Sequence, residues 1–474
     1  MTPSYISTRT MQGAESGHSF DEILLKGLAD DGGLFVPQQW PVINSTATSA
    51  SLAYTEMAEE ILSLFTGESF AREELRAIIN QTYSPQNFRD EAITPLQKIG
   101  DSTYLMELFH GPTLAFKDLA LQLLGRLFDA VLARSQQKIH ILGATSGDTG
   151  SAAIEACRNR ANITITILHP HGRTSEIQRR QMTSIMDDNV HNIAIEGSFD
   201  DCQNLVKQAF ADEDLKRRKH ISAINSINWA RIAAQIVYYV VAARRLGSSL
   251  GNVGVKTAFA VPTGNFGNVY AAWAARKMGA AIGPLIIGSN RNDILTRFFE
   301  TGEMKLHEVT PSLSPSMDIQ ISSNFERYLF ECLDRDAAQL RSLMMQFRSS
   351  GSFRLPDHLW QKSRREFYAL RCSDEDTIAT IRNLYDSTGV IIDPHTAVGL
   401  HALTHSPISN PRHEDYFAGP KVAMACAHPA KFPDVVERAI GVRPALPDFL
   451  SDLLERREKY TVLPNDYEAL KKLI

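Results

Sequence analysis

Residues 257–289 constrain the fold more than any other stretch. TAFAVP reads as a strand buried on both faces, TGNFGN as a tight polar loop, VYAAWAARKMG as a helix ending at Gly279, and PLIIGS as the next strand. Strands joined through a helix must run parallel, and a parallel sheet needs helices on its faces. The same unit occurs earlier as KIHIL, GATSGDTG, SAAIEACRNR and ITITIL. A less regular one runs from NIAIEGSFD through a helix over 201–210 toward ISAINSINW, and GVIIDPHTAVGLHAL and PKVAMACAHPAKF restore the buried-strand pattern near the end. The chain is therefore expected to be α/β, with two lobes, each a mostly parallel sheet flanked by helices. Residues 1–95, including the Ser/Thr/Ala-rich 44–51, read as a small N-terminal helical domain. The 290–390 region reads as a helical insertion, and the charged C-terminal stretch as helix.

Bulk properties exclude several function classes. A net charge of -5 without a long basic run argues against a nucleic-acid partner. The five cysteines (Cys157, Cys202, Cys332, Cys372, Cys426) are scattered and form no CxxC pair, which points to a reducing compartment rather than a zinc site or disulfide framework. The start, MTPSYISTRTMQGAESG, lacks the apolar core of a signal peptide, and no long uncharged apolar run follows. A cytoplasmic protein without membrane association is the expectation.

The chemistry concentrates in three places. In ELFHGPTLAFKDLA a Gly-Pro turn and an apolar run deliver Lys117 ahead of a helical pattern. An amine in apolar surroundings can attack an aldehyde. Two loops, Gly264, Asn265, Phe266, Gly267, Asn268 and Ser146, Gly147, Asp148, Thr149, Gly150, each close a strand and open a helix, so their backbone N–H groups converge as an anion cradle. Neither is a nucleotide motif: the first is not GxGxxG and the second lacks the P-loop lysine. Asp148 would repel an anion and is expected to point away, bracing its turn. Two cradles with an aldehyde-reactive lysine call for a phosphorylated aldehyde cofactor, pyridoxal phosphate.

The segments HGPTLAFKD, ATSGDTGSAA, NSINWARIAAQ, PTGNFGN, SPSMDIQISSNFERYLF, DPHTAVG and AHPAKFPDVVERA, with the opening ISTRTMQGAESGHSFDEILLKGLADDGGLFVP, resemble those of the threonine synthases, in order and over nearly the whole chain. The resemblance is to the longer form of that family, among the fold-type-II pyridoxal-phosphate enzymes. It implies that Lys117 holds the cofactor covalently, that Gly264 to Asn268 take its phosphate, and that Ser146 to Gly150 hold the substrate carboxylate. It sets Cys426 where the family usually has a threonine hydroxyl facing the pyridine nitrogen; a thiol is a weaker partner. The implied domains are 96–117 with 226–474 as the large cofactor lobe and 118–225 as the small substrate lobe, with the cofactor between them.

The implied reaction turns O-phospho-L-homoserine and water into L-threonine and phosphate, by a monomer or homodimer. Two alternatives stay open: an eliminating lyase of the same class that gives 2-oxobutyrate, and a non-catalytic homologue that binds a phosphorylated ligand. Lys431, Arg231, Arg179 and Arg180 are candidates for the substrate phosphate, each with a solvated surface role as its alternative. His110 and His428 are candidates for the site or for the packing behind it. The pair His401 and His405 lacks the glutamate of a zinc motif and reads as ordinary helix.

Overall fold

The computed structural model describes residues 3–10, 17–43, 53–251 and 254–474; the segment 44–51 lies outside them. The chain divides into two compact units: unit 1 comprises Met1–Ile23, Leu28–His110 and Ser226–Pro444, and unit 2 comprises Leu24–Gly27, Gly111–Asn225 and Ala445–Ile474.

Unit 1 is built on a six-stranded sheet. Its order is Phe367–Arg371, Ile282–Ser289, Thr257–Pro262, Lys421–Ala425, Thr103–Glu107 and Leu96–Lys98. All neighbours run parallel except the last pair. The central strands are small and apolar, so helices approach closely. A Cβ at Gly288 would lie 2.8 Å from the Val398 carbonyl oxygen, and one at Gly399 would lie 2.9 Å from Pro262 Cδ. The helix Pro394–His405 thus packs directly on the sheet. The helix Trp229–Ser249 is buried through most of its length, and Trp229 meets Tyr5, Trp40 and Phe65. Apart from Leu24–Gly27, the described part of 1–95 groups with this unit rather than standing apart. Glu60 on its Tyr54–Thr66 helix pairs with Arg244 at 2.7 Å.

Unit 2 holds a wholly parallel five-stranded sheet in the order Thr461–Pro464, Val190–Glu196, Ile163–Pro170, Ile139–Ala144 and Ile221–Ser222. The helix Lys117–Ser135 lies on the helix Asp148–Cys157, close enough that a Cβ at Gly125 would sit 2.3 Å from the Ala156 carbonyl oxygen.

Four expectations change. The 290–390 region is not only helical: Phe367–Arg371 completes the edge of the unit 1 sheet, and Glu303–Lys305 pairs with Ser352–Arg354. The chain's end contributes a strand, Thr461–Pro464, beside Val190–Glu196, so 445–474 belong with unit 2 rather than with a lobe running from 226. Lys117 also groups with unit 2, because its helix packs within that unit. Finally, GVII at 389–392 forms no strand. It is the approach to the Pro394–His405 helix, which Asp393 caps by accepting from the His395 and Thr396 amides.

Burial makes His169, in the core of unit 2, acid-sensitive. His169 is 1% exposed, both ring nitrogens lack a hydrogen-bond partner, and burial pushes its pKa down from 6.5 to about 4. Above pH 6.5 both folded and unfolded forms are neutral here and nothing is lost; as pH falls from 6.5 toward 4 only the unfolded chain takes the proton, so stability falls. We expect the His169→Leu variant to lose less stability than the parent between about pH 7 and pH 5, by on the order of 1–2 kcal/mol, in paired denaturant titrations.

Candidate active site

In unit 2, three turns converge on Lys117. Its helix begins at the lysine itself, after a turn in which Leu114 takes φ +61° and packs against Leu450 and Leu453. Asp118, fully buried, accepts from the Thr113 amide at 2.8 Å and the Thr113 hydroxyl at 2.7 Å, locking the Gly-Pro-Thr turn. Only glycine fits at 111, where a Cβ would lie 2.5 Å from Asp118 Cβ. The lysine side chain is 11% exposed; Nζ lies 4.9 Å from the Phe116 ring centroid and 3.3 Å from Asp148 Oδ2.

That contact corrects one expectation. Asp148 points toward the lysine, not away from it. Its other oxygen accepts from Gln178 Nε2 at 2.9 Å, and Gln178 Oε1 accepts from the Ser175 hydroxyl at 2.8 Å. The helix Glu176–Thr183 thus holds Asp148 in place, and its Gln181 donates to the Thr113 carbonyl at 3.1 Å. Sequence reasoning noticed only the Arg179-Arg180 pair of this helix. The signal it passed over was the i, i+3 spacing of the two glutamines, which places them on one face.

The 146–150 loop is less open than its composition implies. Thr145 Oγ1 accepts from the amides of Gly147 and Gly150 at 3.0 and 2.9 Å, so those two N–H groups close the turn. Gly147 adopts φ +153°, and a Cβ there would lie 2.5 Å from the Gln178 amide carbon. Ser146 and Thr149 remain as the loop's side-chain donors.

In unit 1, the strand Thr257–Pro262 ends in the second loop, Phe266 turns the chain with φ +64°, and the helix Gly267–Lys277 begins. The loop is braced by a segment to which sequence reasoning gave no role. Ser322 donates to the Gly264 carbonyl at 2.7 Å, Ser323 to Asn265 Oδ1 at 3.0 Å, and the Asn324 amide to the Asn265 carbonyl at 3.0 Å. A Cβ at Gly264 would meet Met317 Cα at 3.4 Å, and one at Gly267 would meet Asn324 Nδ2 at 3.2 Å. Asn268 accepts from the hydroxyls of Tyr238 and Tyr239 and turns its Nδ2 to Cys426 Sγ at 3.9 Å. Cys426 follows the strand Lys421–Ala425, so it shares the carboxyl edge of the sheet with the 264–268 loop, where open parallel sheets bind ligands.

The candidate cations separate clearly. Arg179 pairs with Glu458 at 2.8 Å and Arg180 with Glu176 at 3.2 Å, so both are committed to neighbours within unit 2. Lys431 is fully buried. Arg231 is 4% exposed, and its Nε and Nη1 find no hydrogen-bond partner among the described residues. Burial pushes its pKa down to about 10, with Tyr238 acting the other way, so it is still a cation at neutral pH. A buried guanidinium with bare donors is costly without an anion, and this one marks a place for an anionic ligand. Within unit 1, the small residues at a helix N-terminus and the unpartnered Nε and Nη1 of Arg231 fit anionic groups; within unit 2, the buried Lys117 amine fits an aldehyde.

His110 Nε2 lies 2.7 Å from Glu107 Oε2. His428 accepts from the Ala430 amide through Nδ1, and burial, then the neighbouring His110, push it down to about 4. Asn228 caps its helix by accepting from the Ala230 amide at 3.0 Å. His401 and His405 stack with centroids 4.0 Å apart, and no group of metal-ligating side chains occurs among the described residues.

The fold and the lysine-centred site define a pyridoxal-phosphate-dependent enzyme. A family model described as pyridoxal-phosphate dependent enzyme matches residues 88–343, flanked by a threonine synthase N terminus over 4–83 and a threonine synthase C-terminal model over 396–474. The chain belongs to the threonine synthase family. It is 48% identical to the threonine synthase of Pseudomonas aeruginosa over 99% of this chain and 97% of that one. Among solved structures, the PLP-bound threonine synthase from Brucella melitensis superposes with a TM-score of 0.93 at 45% identity, covering 99% of this chain and 98% of that one. The yeast threonine synthase also gives a TM-score of 0.93, at 35% identity over 100% and 98% of the two chains.

Substituting Gly147 tests the unit 2 geometry. Gly147→Ala should force the Gln178 amide aside and strain the turn, lowering stability by about 1–3 kcal/mol in thermal or denaturant melts. Gly172→Ala serves as the control: it also has positive φ, but nothing lies within 4 Å of its added Cβ.

Proposed function

We propose that the chain converts O-phospho-L-homoserine and water into L-threonine and phosphate as a pyridoxal-phosphate-dependent lyase. The observation that carries the site reading is the buried Lys117 amine at 3.3 Å from a carboxylate that Gln178 holds from the other side. Pyridoxal phosphate, when bound, would supply an electron sink for the negative charge that develops at Cα and Cβ.

The protein's own groups do the rest. Lys117 would hold the cofactor's aldehyde, and its free Nζ would take the proton from Cα and later move protons at Cβ. Asp148 Oδ2 accepts from that nitrogen, which keeps the amine aimed while its charge changes. Gly264, Asn265, Phe266, Gly267 and Asn268 hold the cofactor phosphate at the start of the Gly267–Lys277 helix. Cys426 would be the partner of the pyridine nitrogen. Ser146, Gly147, Asp148, Thr149 and Gly150 form the substrate-carboxylate loop, with Ser146 and Thr149 as donors and the other three as its frame. Arg231 takes the substrate phosphate, which its unpartnered donors match. Phosphate departs from Cγ, and water adds its oxygen at Cβ.

No described helix is long and apolar enough to cross a membrane, and no disulfide joins the five buried cysteines. A cytoplasmic monomer or homodimer is the working assembly, to be read by sedimentation.

Incubation with phosphohomoserine should release threonine and phosphate in equal amounts; 2-oxobutyrate in place of threonine would assign the chain to elimination instead. In Lys117→Ala, borohydride should no longer fix the cofactor to the protein, and trapping that persists would move the attachment elsewhere. For Arg231→Gln we expect kcat/KM for phosphohomoserine to fall by roughly 100-fold or more, the loss of a charged hydrogen-bonded contact.

A further inference from the structure

We propose that unit 2 carries a second anion site, at the amino-terminal edge of its sheet, that takes a small multivalent anion. The evidence begins with a change of chemistry along one sheet face. Strand register places His140 beside Thr164 and Thr166 beside His191. Thr461 pairs with Ile193, so Lys459 falls beside His191. Farther along the same face the side chains become Leu142, Leu168, Ile193 and Ile195. These are covered by Leu205, Leu215 and Leu470 from helices Phe199–Ala211, Glu213–Lys219 and Tyr467–Leu473. The face is thus apolar where helices cover it and polar where they stop.

The uncovered part is a cleft of about 590 Å3, within the size range of metabolite sites. Lys138, Lys219 and Lys459 line it with the imidazoles of His140, His191 and His220, and no aspartate or glutamate does. Arg218, also in the lining, is already paired with Asp214 at 2.9 Å, whereas the three lysines form no ion pair with any described residue. The threonines 164, 166 and 461 add hydroxyl donors, and Thr166 lies 2.8 Å from His140 Nε2. The groups press on one another. Burial, then His191 and Lys219, push His140 down to about 4; burial, then Lys459, lower His191. Ile474 brings its terminal carboxylate to the lining, but the surface is mainly basic; a concave, mainly basic surface concentrates counter-ions, and a ligand with several negative charges relieves the repulsion at several points at once.

The cleft is distinct from the lysine site. It opens where the strand Ile139–Ala144 begins, whereas the 146–150 loop follows its other end, about 17 Å away for a six-residue strand. Phosphate esters and polycarboxylates share the required chemistry, and titration separates them.

The cofactor-loaded enzyme is titrated calorimetrically at low salt with inorganic triphosphate, ATP and citrate. Saturable binding of at least one, with Kd at or below about 1 mM, is expected, and raised salt should weaken it. The Lys219→Gln, Lys459→Gln double variant should bind roughly tenfold more weakly, with threonine formation in the absence of the anion unchanged. Binding by triphosphate and ATP without citrate identifies a phosphate ligand; the reverse identifies a polycarboxylate. Should the double variant fail to fold, Lys138→Gln takes its place. Absence of saturable binding by all three probes, or an affinity that the lysine substitutions leave unchanged, overturns the proposal.

Discussion

The contact between Lys117 and Asp148 is what the rest of unit 2 is arranged to hold. Two opposite charges removed from water gain from each other only when both are fixed and their remaining hydrogen-bonding capacity is met. Each side of this pair has its own support. The lysine starts a helix whose preceding turn is locked by Asp118, and Asp148 starts another whose turn is locked by the Thr145 hydroxyl. The helix Glu176–Thr183 joins the two: Gln178 holds the second oxygen of Asp148, and Gln181 donates to the Thr113 carbonyl of the lysine's turn. The glycines at 111 and 147 follow as steric necessities, because each backs directly onto one of these anchoring side chains. A group that must give up and recover a proton is served better by a fixed acceptor than by a mobile one.

Unit 1 shows the opposite arrangement, a charge left deliberately incomplete. Arg327 is as buried as Arg231, yet it donates to the Phe35 and Ile227 carbonyls and to Asn324 Oδ1. Burial pushes both down to about 10, so both remain cations at neutral pH. The difference is in the bonds. Arg327 is finished by the protein and ties the 322–327 segment to its surroundings. Arg231 leaves Nε and Nη1 without a partner among the described residues. An arginine whose donors face no protein acceptor is a binding group in waiting, whereas one that is fully bonded is structural.

What could be read from the sequence divides along the range of the interactions. The 264–268 loop was legible because strand, turn and helix lie within one short stretch, and its small residues report the turn directly. Lys117 was legible for the same reason. The orientation of Asp148 was not: local turn chemistry predicts bracing, but its partners Lys117 and Gln178 are about thirty residues away on either side. The strand Thr461–Pro464 carries no local alternation, and only its pairing with Val190–Glu196 makes it a strand. Phe367–Arg371 is another such case, defined by the neighbouring Ile282–Ser289. The bracing of the 264–268 loop by Ser322, Ser323 and Asn324 is equally non-local, so no short-range pattern reports it.

Cys426 shows how a departure from the family's usual residue can remain consistent with its chemistry. Asn268 has one amide oxygen, and two tyrosine hydroxyls already donate to it. Its nitrogen must therefore donate, and the sulfur at 3.9 Å is where it points. Sulfur is a weak acceptor, and S–H is a weak donor. In the proposed site that weak donor faces the pyridine nitrogen, a pairing that suits a ring left unprotonated and would be a poor stabiliser of a protonated one. A stronger acid at the same place would shift the ring toward the protonated form and draw charge away from Cα. A thiol in that role, beside an asparagine that two tyrosines hold fixed, would leave a bound ring neutral and the proton handling to other groups.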